Sequence, residues 1–169
     1  MIKYIIIIIL LIFIVSCSNN KAEDLRVQLI QEQENRVKLT NSIEIISIIG
    51  NKQSNMINNF EILIRLDAGS DEFEISDLTI NNIKYQSSKL CDFNTITNEF
   101  FCVEIKHGNE DSLLENGEVF LLKFKESKSL SFNEKFDFIF NLNDQKISKA
   151  SITTPESFST SKIPLWPVG

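Results

Sequence analysis

Residues 60–66 read FEILIRL, and this short stretch points to the fold. Its apolar residues at every second position lie on one face of an extended chain, whereas Glu61 and Arg65 lie on the other. Successive side chains of a β-strand point to opposite faces of the sheet, so this alternation predicts a strand with one buried face and one solvated face.

The same alternation returns in residues 120–124 (FLLKF) and 136–142 (FDFIFNL). Residues 43–49 are more continuously apolar, and their alternation slips near Ile45 and Ile46, which predicts a bulge or burial on both faces. Further strands are predicted for residues 78–80, 83–86, 100–106 and 147–154. Pro155 should end the last long strand, because proline cannot donate to a β-ladder.

These segments amount to seven or eight short strands separated by clusters of Asn, Asp, Ser and Gly. Such spacing favours an all-β immunoglobulin-like sandwich over residues 41–169. Many of the 13 phenylalanines of the chain fall at inward strand positions. We therefore interpret the phenylalanine stripe as core and not as a ligand groove.

Composition limits the functions open to the chain. A length of 169 residues allows one domain and an appendage. A formal net charge of -6 repels phosphate backbones, so nucleic acid is not an expected partner. One His and three Cys are too few ligands for most closed zinc sites, and we expect neither a metal nor a cofactor.

The N-terminus is unlike the rest of the chain. Residues 1–16 read MIKYIIIIILLIFIVS, with Lys3 followed by twelve apolar residues. A straight transmembrane helix needs ~20 apolar residues, whereas the core of a signal peptide is shorter. We therefore predict a hydrophobic anchor or signal segment over residues 1–16 and an exported protein.

Cys17 follows Ile14, Val15 and Ser16, a tetrapeptide that resembles a lipobox. In lipoproteins with such a box, the cysteine thiol receives a diacylglyceryl group and becomes the first residue after cleavage. Cys17 is accordingly a candidate lipidation site. The alternative is a plain membrane helix that happens to end in Ser-Cys.

Residues 17–40 form the predicted stem. Residues 22–39 contain no Gly or Pro and are rich in Leu, Glu, Gln and Arg, which favours an amphipathic α-helix. Ala22, Leu25 and Leu29 share one face by the i, i+3, i+4 rule. With barely two heptads, this face is either a spacer or a packing stripe against other copies.

Five segments of the body, taken in order, carry a family resemblance: residues 43–50 (IEIISIIG), 60–70 (FEILIRLDAGS), 75–80 (ISDLTI), 116–121 (NGEVFL) and 152–158 (ITTPESF). Together with the apolar N-terminal helix that precedes the sandwich, they resemble archaeal flagellins, or archaellins. The resemblance covers most of the chain from residue 43 onward.

This resemblance implies a structural subunit of an extracellular filament for motility or adhesion, with copies of the chain or related subunits as partners. Polymerisation would run through residues 1–39, with the sandwich outward. The candidate assembly positions on that helix are Ile5, Ile8, Ile9, Ile12, Leu25 and Leu29.

The N-terminus departs from the archaellin pattern. Archaellins usually keep a long apolar helix after a short basic leader, whereas the apolar run here is short and ends at the lipobox-like sequence. The alternative function is therefore a lipid-anchored sandwich at the cell surface that binds a cell-envelope component. An enzyme is not expected, because no phosphate loop, nucleophile elbow, HExxH or CxxC motif occurs.

Two further groups have open interpretations. Cys91 and Cys102 flank a polar segment between two predicted strands, and export favours a hairpin disulfide, with two buried thiols as the alternative.

His107 is interpreted as a turn residue and not as a catalytic base. An acidic group is either a solvated surface or a set of calcium ligands; its members are Asp67, Asp71, Glu72, Glu74 and Asp77.

Overall fold

The structure is a computed structural model that describes residues 41–87 and 91–167. The predicted anchor and helical stem lie outside these residues. Within them the chain forms eleven strands and one short 3-10 helix at Ile75–Asp77. The strands are β1 (Ile43–Gln53), β2 (Met56–Leu66), β3 (Phe73–Glu74), β4 (Leu78–Ile80), β5 (Ile83–Tyr85), β6 (Phe100–His107), β7 (Leu113–Leu114), β8 (Val119–Leu130), β9 (Lys135–Leu142), β10 (Gln145–Thr153) and β11 (Lys162–Trp166).

Nine of these strands form one continuous sheet in the order β10-β9-β4-β5-β6-β8-β2-β1-β11, and β3 and β7 form a separate ribbon. Neighbours are antiparallel except β5 and β6, which are parallel. Parallel strands need a crossover of a dozen or more residues, and residues 86–99 provide it. The hairpin expected around the cysteines is therefore wrong, because the strands on either side of the loop run in the same direction.

The sheet folds over so that its two halves pack face to face. Phe138 of β9 meets Phe60 of β2 and Phe124 of β8, with ring centroids 5.0 and 5.8 Å apart. Edge-to-face pairs of this kind add to the stabilisation from buried area. The prediction that inward phenylalanines form the core of an all-β sandwich is confirmed.

Side-chain hydrogen bonds join β1 to both edge strands of the sheet, β10 and β11. The Ser148 hydroxyl of β10 donates to the Ile43 carbonyl of β1 at 3.2 Å. The Trp166 indole of β11 donates to the Ile45 carbonyl at the same distance. The sheet is thus nearly closed, and side-chain hydrogen bonds cover part of its edge.

Two local predictions are confirmed. Ile45 pairs with Ile64 and Ser47 with Leu63, so Ile46 is an extra residue in β1 and the slip in alternation is a β-bulge. β10 ends at Thr153, two residues before Pro155.

The expected number of strands was too low. Two of the strands missing from the sequence prediction, β3 and β7, have only two residues each and so show no alternation. The third, β11, contains Pro164, which argues against a central strand. β11 pairs only with β1 at the end of the sheet order, where a proline is tolerated.

Glu61 is less accessible than its position on the outer face of β2 suggested. It is only 9% exposed. The Lys162 ammonium of β11 lies 3.1 Å from both of its carboxylate oxygens, and the Asn51 amide of β1 donates to it at 3.3 Å. The edge strand β11 therefore covers polar as well as apolar groups.

Candidate functional site

The assembly positions and the lipidation site lie outside the described residues. These are Ile5, Ile8, Ile9, Ile12, Cys17, Leu25 and Leu29. The disulfide pair and the acidic residues lie in the described body, and the structure shows which of them come together. In the described ranges, no helix has the length and apolar character needed to cross a lipid bilayer.

Cys91 and Cys102 are joined by a disulfide, with Cα atoms 5.6 Å apart. Cys102 lies in β6 and is 2% exposed, whereas Cys91 begins the second half of the crossover loop. Asp92 then organises that loop, because its carboxylate accepts a hydrogen bond from the Asn94 backbone at 3.0 Å and its carbonyl accepts one from Thr95. The disulfide thus ties the crossover loop to the strand that follows it.

Lys123 links this loop to the outer face of the sheet. It pairs across the ladder with Cys102, and its ammonium donates to the Cys91 carbonyl at 3.4 Å. The same ammonium lies 2.9 Å from the Glu104 carboxylate. Hydrogen bonds from Lys106 and Lys123 lower the pKa of Glu104 to about 2, so this carboxylate is ionised over the physiological pH range.

The acidic residues considered as calcium ligands do not converge. Among the described residues, no three side chains of His, Cys, Asp or Glu are grouped so as to hold a metal ion. The Asp67 carboxylate accepts a hydrogen bond from the Ala68 backbone, and the Asp77 carbonyl accepts one from Asn143. These groups therefore shape turns at one end of the body.

Glu118 organises the neighbouring turn. It is 4% exposed, and its two carboxylate oxygens accept backbone hydrogen bonds from Asn109 at 2.6 Å and Glu115 at 3.0 Å. Gly108 has φ +128°, and a Cβ there would lie 2.2 Å from the Glu118 carboxylate. Glycine is required at position 108 because both the backbone and the space exclude a side chain.

The buried Glu126 carboxylate is paired with Asn81, which is partly exposed. The Asn81 amide donates to the Glu126 carboxylate at 2.8 Å and to the Asp137 carbonyl at 3.2 Å, while its oxygen accepts from the Ile139 backbone at 2.9 Å. Burial raises the pKa of Glu126, and the hydrogen bonds from Asn81 and the Ser127 backbone oppose this shift. The pair holds the β4–β5 turn against β8 and β9.

The end of the body at which β2 begins, opposite the turns of residues 67–77, carries exposed apolar groups. Met56 is 51% exposed and Phe132 is 41% exposed. The Phe132 ring lies 4.5 Å from the buried ring of Phe158, whose carbonyl accepts a hydrogen bond from the Lys52 ammonium at 2.9 Å. This end is therefore apolar at its centre with a cation beside it.

His107 lies at the end of β6, exposed, and pairs with Val119 through the backbone. In the described part of the chain, no side chain forms a hydrogen bond with its imidazole. A general base needs a nucleophile within hydrogen-bond reach and a group that orients it. The described residues instead offer turns, ion pairs and surfaces for packing.

Comparison with known proteins gives a likeness of fold. No protein-family model matches the chain, and no curated protein matches it. Among solved structures, the chain is similar to the crystal structure of archaeal flagellin FlaB1 from Methanocaldococcus jannaschii, with a TM-score of 0.62. The two are 13% identical, and the match covers 75% of this chain and 97% of that chain. The chain thus has an archaellin-like fold.

Proposed function

We propose that the protein is a structural subunit of an archaellum-like extracellular filament for motility or adhesion, and that it polymerises through its N-terminal helix. The observation that carries this proposal is the archaellin-like fold, which matches 97% of the archaeal flagellin chain. Its partners are then copies of itself or related subunits, and no catalytic step is required.

The apolar N-terminus supplies the driving force for assembly in this proposal. Twelve consecutive apolar residues over positions 4–15 cannot stay exposed to water, because each buried aliphatic side chain is worth ~1.5–3 kcal/mol. Identical segments from neighbouring copies would cover them. Ile5, Ile8, Ile9 and Ile12 lie within this run, and Leu25 and Leu29 continue the apolar face of the stem.

A charge within the apolar run tests the proposal. Ile8→Asp should abolish filaments seen by electron microscopy of the full-length protein, because a carboxylate cannot be buried in an apolar core without a partner. Ile8→Leu keeps the apolar surface and should assemble like the wild type. Filaments that persist in Ile8→Asp would exclude polymerisation through this segment.

The sequence before Cys17 supports a second candidate, a lipid-anchored surface protein that binds a cell-envelope component. Mass spectrometry of the mature N-terminus separates the two. Acylated Cys17 in protein that never enters filaments would establish the lipoprotein and overturn the filament proposal. In that case Cys17→Ser should release the protein from the membrane or block its maturation.

A further inference from the structure

The two ends of the β-body differ strongly in charge. We define the acidic end as residues 67–77 and 108–118, which together contain nine carboxylates and no Lys or Arg. These segments form one surface, because Phe73 pairs with Leu114 and the Ile75 backbone donates to the Ser112 carbonyl at 2.8 Å. The charges therefore accumulate at a single end.

The acidic end has little opposite charge around it, although Asp67 interacts electrostatically with Arg65. Among the described residues, none of its carboxylates forms an ion pair, and Asp71, Glu72 and Glu110 are exposed. Like charges gathered on one surface repel each other and create a negative potential that attracts a cationic surface.

The other end carries a small excess of positive charge. We define the basic end as residues 52–56, 128–135 and 154–162, which contain four lysines and two glutamates. It also carries the exposed apolar side chains of Met56 and Phe132, which the pairing of Ile57 with Leu130 brings to the same end. Two of these lysines are paired within the body, Lys128 with Glu134 and Lys162 with Glu61, and the Lys128 side chain is 57% exposed.

The acidic and basic ends cannot meet within one molecule. β2 begins at Met56 at the basic end and reaches Leu66 directly before the acidic end. A strand of this length spans roughly 30–35 Å at ~3.3 Å per residue. Any contact between the two ends must therefore join two molecules.

We infer that the β-bodies of successive copies dock end to end, with the acidic end of one copy against the apolar, lysine-rimmed basic end of the next. An apolar centre with a charged rim is the usual anatomy of a protein interface. Such a heterologous contact generates an open chain of subunits. The inference rests on the proposed filament function, to which it adds a second contact outside the N-terminal helix.

Charge-reversal variants of the full-length protein in a non-ionic detergent test this contact, since the detergent covers the N-terminal segment. The basic-end variant is Lys128→Glu with Lys135→Glu, and the acidic-end variant is Asp71→Lys with Glu72→Lys and Glu110→Lys. By sedimentation velocity at low salt, each variant alone should associate on the order of tenfold more weakly than the wild type.

A mixture of the two variants gives the sharpest readout. In the mixture, the intact acidic end of one variant faces the intact basic end of the other, and the two reversed ends also carry opposite charges, so association should be restored relative to either variant alone. Wild-type association should fall as salt is raised, because salt screens surface charges. The control matched to the basic-end variant is Lys84→Glu with Lys149→Glu, which changes the net charge by the same amount as that variant, also removes one exposed ion pair and lies outside the residues that define either end. It should associate like the wild type.

The inference is overturned if the wild type does not associate in detergent, if both variants associate as it does, if the control is weakened equally, or if the mixture associates no better than either variant alone. Electron microscopy after detergent removal tests the filament function separately. Filaments without the end contact would overturn this inference alone. An end contact without filaments would overturn the filament function alone.

Discussion

At the scale of single residues, Glu126 and Glu104 show how environment sets the effect of a carboxylate on stability. Glu104 lies on the outer face, where Lys106 and Lys123 stabilise its charge. Glu126 is buried beside Asn81, and its raised pKa means that ionisation is less favourable in the folded protein than in the unfolded chain. The two groups therefore have opposite linkage to pH.

Glu126→Gln tests the linkage of the buried carboxylate. A carboxyl group whose pKa is raised on folding contributes stability fully below its unfolded pKa, and that stability is lost as pH rises through the folded pKa. We expect the variant to melt at a higher temperature than the wild type at pH 7, with the difference shrinking as pH falls to about 4.

Thermal melts of the wild type, Glu126→Gln and Glu104→Gln between about pH 2 and pH 8 provide the measurement. Glu104→Gln is the control with the opposite sign, because a lowered pKa gives stability that is present above the unfolded pKa and is lost as pH falls through about 2. An unchanged pH profile in Glu126→Gln would show that ionisation of this residue does not limit stability.

At the scale of elements, the position of β6 in the sheet is fixed by contacts with residues that are distant in sequence. It pairs with β5 only at Lys84 with Phe100 and at Tyr85 with Phe101, and the long crossover loop precedes it. The disulfide from Cys91 to Cys102 shortens the free part of that loop. Closing a loop of about ten residues stabilises by roughly 2–3 kcal/mol in the chain-entropy model.

Replacing Cys91 and Cys102 together with Ala should lower the melting temperature by roughly 10 °C without abolishing the fold, because the phenylalanine core lies elsewhere. Thermal melts followed by circular dichroism measure this change. Non-reducing peptide mapping of protein recovered from the cell surface should show the linked pair. Two freely alkylated cysteines in that sample would contradict the disulfide.

At the scale of the whole molecule, the described body contains its own core. Phe60, Phe124 and Phe138 from both halves of the sheet are fully buried, and side-chain hydrogen bonds join both edge strands to β1. We propose that residues 41–169 form a domain separate from the anchor over residues 1–16 and the stem over residues 17–40.

A fragment that begins at residue 41 should therefore be soluble and fold alone. Its circular dichroism spectrum should be that of a β-protein, and its thermal melt should be cooperative. A predominantly helical spectrum or a melt without a transition would show that the body needs the N-terminal segment in order to fold.

The sequence reveals those parts of the fold in which burial leaves a local pattern. β2, β8 and β9 were predictable because each has one buried face over many residues. β11 was missed because Pro164 is tolerated only by virtue of its edge position, which depends on the finished sheet. The parallel pairing of β5 and β6 was missed because the direction of a partner strand is not a local property.

In the candidate site, too, the sequence reveals local patterns but not the contacts that depend on the finished sheet. The acidic character of residues 67–77 is visible in the sequence, and the spacing of Cys91 and Cys102 suggested their pairing. The accumulation of charge at one end depends on β3 and β7, whose two-residue pairing brings distant segments together. Met56 and Phe132 likewise share an end only because β2 and β8 are neighbours.

Because β1 pairs with β11, the sheet can be completed only late in the synthesis of the chain. Residues 48–51 of the first strand find their outer backbone partners only in Lys162–Trp166. A nascent chain must therefore be synthesised as far as Trp166 before the sheet is complete, and contacts of such long sequence separation form slowly. Until then β1 has an open edge that can pair with another chain. Late completion makes the nascent chain a substrate for factors that shield unpaired strands.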